Sequence, residues 1–143
     1  MFKKILYPTD FSDVAHKALD FIICLQDAGA REVVILHVID KGNFDAIARY
    51  ATKDILDIEE KLKETALAEI KPLEEKLTKK GFKVKVIVSR AVPVMEILRV
   101  EAEEKVSAIV IGSHGVSNIA EMFLGSVSEK VIKRAKTPVL VIR

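Results

Sequence analysis

The stretch Val33-Val34-Ile35-Leu36-His37-Val38 decides the fold of this 143-residue chain. It is an apolar run interrupted only by one histidine, and most of its residues are β-branched. Runs of this kind are typical of a parallel β-strand that is covered on both faces by other parts of the protein. Similar short runs recur along the chain and predict four more strands, at Phe2–Tyr7, Val84–Val88, Ser107–Ile111 and Val139–Ile142.

Segments with helical spacing separate these strands. The first helix is predicted to begin at Ser12 and to stop at Gly29. Its apolar residues recur every three or four positions, at Val14, Ala18, Ile22 and Leu25. Two further helices are predicted near Val94–Lys105 and Ser126–Ala135.

A long charged helix is predicted between the second and third strands, over Ile55–Lys80. Its apolar positions predict one buried stripe, made by Ile55, Ile58, Leu62, Ala66, Ile70, Leu73 and Leu77. Pro72 should kink or break this helix, because proline lacks an N–H and clashes with the preceding turn. The segment before it, Lys41–Asp54, is predicted to be a loop or a frayed helix start.

Strands that alternate with helices predict an α/β fold with parallel strands and right-handed crossovers. The whole chain, residues 1–143, is predicted to be one domain. Its architecture is expected to be a single doubly wound, mainly parallel five-stranded sheet in the order 3-2-1-4-5, with helices on both faces. In that order the winding reverses between strands one and four, and ligands bind beyond the carboxyl ends of those strands. The expected ligand-binding loops are therefore Pro8–Ser12 and the loop that starts at Gly112.

Composition narrows the function classes. Lys and Arg total 23 against 21 Asp and Glu, so the formal net charge of +2 does not indicate nucleic-acid binding. One cysteine excludes an intramolecular disulfide framework and a cysteine-cluster metal site. Apolar runs are far shorter than the ~20 residues of a membrane span, and Pro8 and Asp10 interrupt the start before a signal peptide can form. We therefore predict a cytoplasmic protein without nucleic-acid or membrane partners.

The loop after the fourth strand has an unusual glycine pattern. Gly112-Ser113-His114-Gly115 is followed by nine residues and then by Gly125-Ser126, which opens the last helix. Glycine lets a phosphate approach the backbone closely, and a helix start offers N–H groups and the positive end of the helix dipole to an anion. Ser126 and Ser128 add hydroxyl donors. The alternative is that these glycines serve only turns and a helix cap.

These residues resemble the universal stress protein family, on its ATP-binding branch. The resemblance spans the chain through Ile5-Leu6-Tyr7-Pro8-Thr9-Asp10-Phe11-Ser12, Leu36-His37-Val38, the glycine loop and Thr137-Pro138-Val139-Leu140-Val141. One departure is Ala91-Val92-Pro93, where the family often has G-x-P.

The resemblance implies an ATP site with two halves. At the adenosine end it implies Pro8, Thr9, Asp10 and the backbone of Val38. For the ribose and phosphates it implies Gly112, His114, Gly115, Gly125, Ser126, Val127 and Ser128. It also implies Mg²⁺ or Mn²⁺ on the phosphates, without a dedicated protein metal site.

Several of these residues have ordinary structural alternatives. Asp10 could cap the first helix, as Ser12 could. His114 could contact phosphate or ribose, or act as a general acid, although no carboxylate is paired with it in the sequence. His37 is predicted to serve packing, and Cys24 is predicted to be a buried, inert thiol. No Lys or Arg lies between Gly112 and Gly125, so a metal would have to supply positive charge.

The function predicted from these features is an ATP-binding regulator or sensor with little turnover, acting on an unidentified protein partner. Two alternatives stay open: a slow ATPase or a nucleotide-dependent hydrolase or transferase of a related fold, and a dimeric scaffold with structural nucleotide.

The last strand, Val139–Ile142, is expected at a sheet edge without proline or internal charge, so the edge lacks the usual protection against pairing. We therefore predict a homodimer through this strand, as the resemblance also implies.

Overall fold

The computed structural model describes residues 1–50, 54–114 and 125–143. Five strands and five α-helices follow one another within these ranges: β1 Lys4–Pro8, α1 Asp13–Cys24, β2 Glu32–Asp40, α2 Lys41–Tyr50, α3 Ile55–Lys79, β3 Lys83–Ala91, α4 Pro93–Glu104, β4 Ala108–Gly112, α5 Ser126–Arg134 and β5 Val139–Ile142. Each predicted strand is present, and the boundaries differ from the predicted ones by a few residues at most.

The strands form one parallel sheet in the order β3-β2-β1-β4-β5, which confirms the predicted topology. Because successive side chains of a strand point to opposite faces, Ile5 and Tyr7 contribute to one core layer while Leu6 contributes to the other. The first layer is completed by α1 and α3, and the second by α4 and α5. Helices therefore cover both faces of the sheet.

Helix α1 begins with a side-chain cap. Ser12 is the N-cap residue, and its hydroxyl accepts a hydrogen bond from the Ala15 N–H at 3.2 Å. A 3₁₀ turn at Leu25–Ala28 continues the chain to Gly29, whose φ of 100° ends the helical segment. Cys24 is exposed, so the prediction of a buried thiol was wrong. It lies two residues after the buried Ile22, and that spacing turns it away from the core.

Helix α2 corrects the expectation that residues 41–54 form a loop or a frayed helix start. Ten residues, Lys41–Tyr50, are helical directly after β2. The Asp40 carboxylate accepts a hydrogen bond from the Gly42 N–H at 2.9 Å, which supports the first turn. Phe44 is 2% exposed and anchors the helix to the protein. One buried aromatic side chain is too weak a periodic signal to predict this helix.

Helix α3 runs through Pro72 as one continuous helix of 25 residues, so the proline does not break it. Both Pro72 and Ala68 are exposed, so the Ala68 carbonyl that loses its helical partner can bind water. The predicted stripe is buried only in its second half, at Ala66, Ile70, Leu73 and Leu77, whereas Ile55 is exposed. No helix within the described ranges has the combination of length and apolar character needed to cross a membrane.

Candidate functional site: a cavity at the carboxyl ends of β1 and β4

A cavity of about 630 Å³ opens at the carboxyl end of the sheet, where the winding reverses. Its lining includes the ends of β1, β2 and β4 and the start of α5. Cavities that bind small molecules commonly measure about 300–1,000 Å³. The topology therefore places a ligand-sized cavity at the position that the strand order predicts.

The predicted site residues come together in this cavity. Those that line it are Pro8, Thr9, Asp10, Val38, Gly112, His114, Gly125, Ser126, Val127 and Ser128. Gly115 lies outside the described residues. Residues from both nominated loops and from β2 thus surround one space, although they are up to 120 positions apart in the sequence.

The turn after β1 is held by short-range hydrogen bonds. The Thr9 N–H donates to the Leu36 carbonyl at 2.9 Å, and the Thr9 hydroxyl accepts from the Phe11 N–H at 3.1 Å. The Asp10 Oδ1 accepts from the Ser12 N–H at 3.0 Å, while Ser12 itself caps α1. Asp10 therefore closes the turn before the helix and does not act as its N-cap. Its side chain is exposed at the cavity.

Gly112 is required by close packing against α1. A Cβ atom at this position would lie 3.0 Å from Val14 Cγ1 and 3.3 Å from Val14 Cβ. The Gly112 carbonyl accepts a hydrogen bond from the buried Ser128 hydroxyl at 2.6 Å. Ser128 therefore ties α5 to the end of β4, and its hydroxyl proton is engaged within the protein.

The start of α5 presents backbone donors to the cavity. Gly125 is the N-cap residue, with φ −64° and ψ 156°, and no side chain in the described ranges caps the helix. The Gly125 N–H donates to the Ser113 carbonyl at 2.6 Å, and the first helical hydrogen bond runs from Glu129 back to Gly125. In such a helix start the N–H groups of the first turn have no helical partner. These are the N–H groups of Ser126, Val127 and Ser128, and all three residues line the cavity.

His114 lies at the cavity beside the end of β4. Its Nδ1 is 3.1 Å from the Ser113 Oγ. No hydrogen bond or ion pair joins His114 to a carboxylate in the part of the chain that the structure describes. The geometry therefore provides a polar contact group at this position without the paired acid that a general acid–base role usually needs.

Several lining residues were not predicted. His37 lines the cavity and approaches the turn after β1, whereas the sequence predicted only packing. Helices α2 and α3 also contribute, through Asn43, Leu62, Thr65, Ala66 and Glu69. The helical spacing of apolar residues in α3 predicted a buried stripe but gave no signal that the middle of the helix, residues 62–69, would line a cavity.

The charged groups at the cavity are acidic. Asp10, Asp40 and Glu69 line it, and no Lys or Arg is among the described lining residues. Nor do three or more possible metal ligands cluster anywhere in residues 1–50, 54–114 and 125–143. An anionic ligand would therefore meet backbone N–H groups and the dipole of α5 instead of a basic side chain.

Comparisons with known proteins agree with this architecture. The model of the universal stress protein family matches residues 1–143. Universal stress protein MJ0577 of Methanocaldococcus jannaschii is 40% identical, covering 100% of this chain and 96% of the relative. Its solved structure superposes with a TM-score of 0.89, over 99% of this chain and 96% of that chain.

Two further relatives extend the comparison. Universal stress protein YxiE of Bacillus subtilis is 36% identical, and the match covers both chains completely. A universal stress protein solved in complex with cAMP shares the fold, with 22% identity, a TM-score of 0.69, and coverage of 99% of this chain and 97% of that one. The match of the family model along the entire chain, together with these identities, shows that this chain belongs to the universal stress protein family.

Proposed function

We propose that this universal stress protein binds ATP in the cavity and acts in the cytoplasm as a nucleotide-dependent regulator with little intrinsic turnover. A protein partner would bind the nucleotide-bound form and the empty form with different affinities, and regulation would follow from that difference. The observation that supports the proposal most strongly is the start of α5, where three residues whose N–H groups have no helical partner line the same cavity as the turn after β1.

The residues present fit a nucleotide. At one end, the N–H groups of Ser126, Val127 and Ser128 suit phosphate oxygens. At the other end, Val38 and the turn at Thr9 and Asp10 offer backbone groups and a carboxylate that suit a base and a ribose. The universal stress protein of the cAMP complex holds an adenine nucleotide on the same fold.

The charge balance favours a nucleotide that arrives with a cation. Because the described lining has three carboxylates and no Lys or Arg, the phosphates would lack a compensating side chain. A divalent ion, Mg²⁺ or Mn²⁺, would supply positive charge when it is bound to the phosphates. The protein then holds the metal through the nucleotide.

The same lining favours a regulator over an ATPase. Phosphoryl transfer normally uses basic side chains or metal ions to stabilise charge and a positioned group to orient the nucleophile. His114 lines the cavity with the start of α5, but its ring contacts Ser113 and has no carboxylate partner among the described residues. A single-turnover measurement with labelled ATP, with and without Mg²⁺, separates the two functions, and we expect hydrolysis to be negligible over minutes.

The test of the binding site is the variant Gly125→Val. The backbone of Gly125 is in an ordinary extended conformation that valine adopts readily, so the substitution adds mainly bulk beside the phosphate donors. Calorimetry should show ATP binding weakened at least about tenfold, while circular dichroism reports an unchanged fold. Lys130→Val is the matched control, because it places the same residue on an exposed position of the same helix.

The outcome is unambiguous in both directions. Loss of affinity in Gly125→Val with wild-type affinity in Lys130→Val supports the site. A folded Gly125→Val protein that binds ATP as tightly as the wild type would place the phosphates elsewhere.

We also propose that two copies pair through β5. This strand is the outer edge of the sheet, and within the described residues it pairs only with β4. Leu140 and Ile142 pack toward one core layer, and Val139 and Val141 pack toward the other. Its side chains are thus half-buried on both faces while its outer backbone groups are available, which favours antiparallel pairing of two copies about a two-fold axis.

A further inference from the structure

His37 makes a directed contact with the turn at the adenosine end of the cavity. Its Nδ1 lies 2.8 Å from the Thr9 carbonyl oxygen. A carbonyl oxygen can only accept a hydrogen bond, so Nδ1 carries the proton in this contact. The neutral ring is then in the Nδ1–H form, and Nε2 is an acceptor.

The same imidazole ring supports a strained residue. Phe11 has φ +65°, a conformation that is uncommon for a bulky side chain. Its ring stacks on His37, with ring centroids 4.5 Å apart and an angle of 27° between the planes. Strained backbone of this kind persists only where the surroundings hold it, and it is concentrated at functional sites.

The two contacts act on adjacent parts of one turn. His37 holds the carbonyl of Thr9, and its ring holds the side chain of Phe11, so Asp10 lies between two fixed points. The turn is also tied to Ser12 through Asp10 and to β2 through the Thr9 N–H. The imidazole is carried by β2, which pairs with β1 over Glu32–Leu36 and with β3 over Glu32–Asp40, so His37 follows directly after the part of the strand that is paired on both sides.

We propose that His37 is a positioning residue for the nucleotide site: it fixes the Thr9–Asp10 turn in the ligand-binding shape by donating from Nδ1 to Thr9 and by stacking on Phe11. This inference rests on the proposed nucleotide function. We expect His37 to raise the affinity for ATP, because a turn that is already ordered loses less conformational freedom when the ligand binds.

Two substitutions separate the hydrogen bond from the ring. His37→Phe keeps an aromatic ring for stacking but removes the donor, and we expect ATP affinity to fall about five- to tenfold, the effect of one lost hydrogen bond. His37→Asn retains an N–H donor close to the position of Nδ1 and should recover most of that loss. His16→Phe is the control, since His16 is exposed on α1 and does not line the cavity.

A nuclear magnetic resonance measurement tests the contact without any ligand. Long-range ¹H–¹⁵N correlation of the histidine rings at neutral or alkaline pH should show His37 with its proton on Nδ1. A neutral His37 ring protonated on Nε2 would overturn the proposal, because the Thr9 carbonyl would then have no donor.

The binding results distinguish failure of this inference from failure of the proposed function. If the wild type binds ATP and His37→Phe, with an unchanged melting temperature, binds it equally well, the positioning role is rejected while the site stands. Equal losses of ATP affinity in His37→Asn and His37→Phe would also reject the positioning role of His37. If the wild type binds no nucleotide, the proposed function fails, and with it the role of His37 in affinity.

Discussion

At the scale of single residues, Gly112 and Ser128 make contacts within the protein that the glycine pattern did not predict. Gly112 matches the spacing expected for phosphate approach, yet the atom nearest to its missing side chain belongs to Val14 of α1. Ser128 was predicted as a phosphate donor, and its hydroxyl instead donates to Gly112. Both residues assemble the site by joining α1, β4 and α5, while Ser126, Val127 and Ser128, whose N–H groups have no helical partner, line the cavity.

Tyr7 gives a prediction about alkaline pH. It is fully buried at the end of β1, its hydroxyl donates to the Ala15 carbonyl at 2.5 Å, and burial raises the pKa of Tyr7 from 10.0 to about 12. The folded state therefore favours the neutral phenol, so its contribution is complete below pH 10 and is lost as the pH rises from 10 toward 12. The loss should amount to roughly 2–3 kcal/mol of unfolding free energy.

The measurement is denaturant unfolding between pH 8 and pH 12 for the wild type and Tyr7→Phe. Because phenylalanine has no titratable group, the free energy of unfolding of Tyr7→Phe should fall less steeply above pH 10 than that of the wild type. At pH 8 the variant should be the less stable protein, because it lacks the hydrogen bond to Ala15. Parallel curves for the two proteins across this range would show that Tyr7 titrates alike in the folded and unfolded chains.

At the scale of elements, helix α3 tolerates a proline at the cost of stability. Pro72 removes one helical hydrogen bond in the middle of a 25-residue helix, while it also restricts the unfolded chain. Pro72→Ala should therefore raise the free energy of unfolding, by roughly 1–2 kcal/mol after the two effects are combined. Lys71→Ala, at the exposed neighbouring position, is the control, and an equal or lower stability of Pro72→Ala would contradict the account.

The elements that could be predicted from sequence are those with a strong local pattern. The central residues of β2, Val33–Leu36, and all residues of β4 are apolar because both faces of these strands are buried, and that property is visible in the sequence. Helix α2 was missed because its position depends on Phe44 and on the Asp40 contact with Gly42. The burial of α3 was overestimated at Ile55, where periodicity predicts a face but not how far a neighbouring element extends.

The candidate site was predictable to the extent that topology dictates it. Parallel strands bring their carboxyl ends to one edge, so the turn after β1 and the loop after β4 meet wherever the order 3-2-1-4-5 holds. Thr65 and Glu69 were not predictable, because they reach the cavity through the placement of a helix over the sheet. His37 was assigned to packing because a pattern of apolar neighbours contains no information about a carbonyl 28 residues away.

At the scale of the whole molecule, the backbone geometry of β5 defines a test of the dimer. The Ile109 N–H donates to Pro138 and the Ser113 N–H donates to Ile142, so alternate residues of β5 face β4. Leu140 shares that orientation, and Val141 has its N–H on the outer edge. Val141→Pro should therefore weaken pairing between copies while keeping the fold, whereas Leu140→Pro should destabilise the sheet itself.

Sedimentation at micromolar concentration measures this difference. The wild type should sediment as a dimer, and Val141→Pro should shift toward a folded monomer. A wild-type protein that sediments as a monomer, or a Val141→Pro protein that stays fully dimeric, would contradict pairing through β5.

The central claim is that one cavity at the reversal of the sheet holds ATP, with its phosphates at the start of α5. The most direct test is an amide ¹H–¹⁵N titration of the wild type with Mg²⁺ and ATP, compared with adenosine. We predict that ATP shifts the amide signals of Ser126, Val127 and Ser128 together with those of Thr9 and Val38, and that adenosine shifts only the second group. ATP that leaves the Ser126–Ser128 signals in place while it binds would contradict the account.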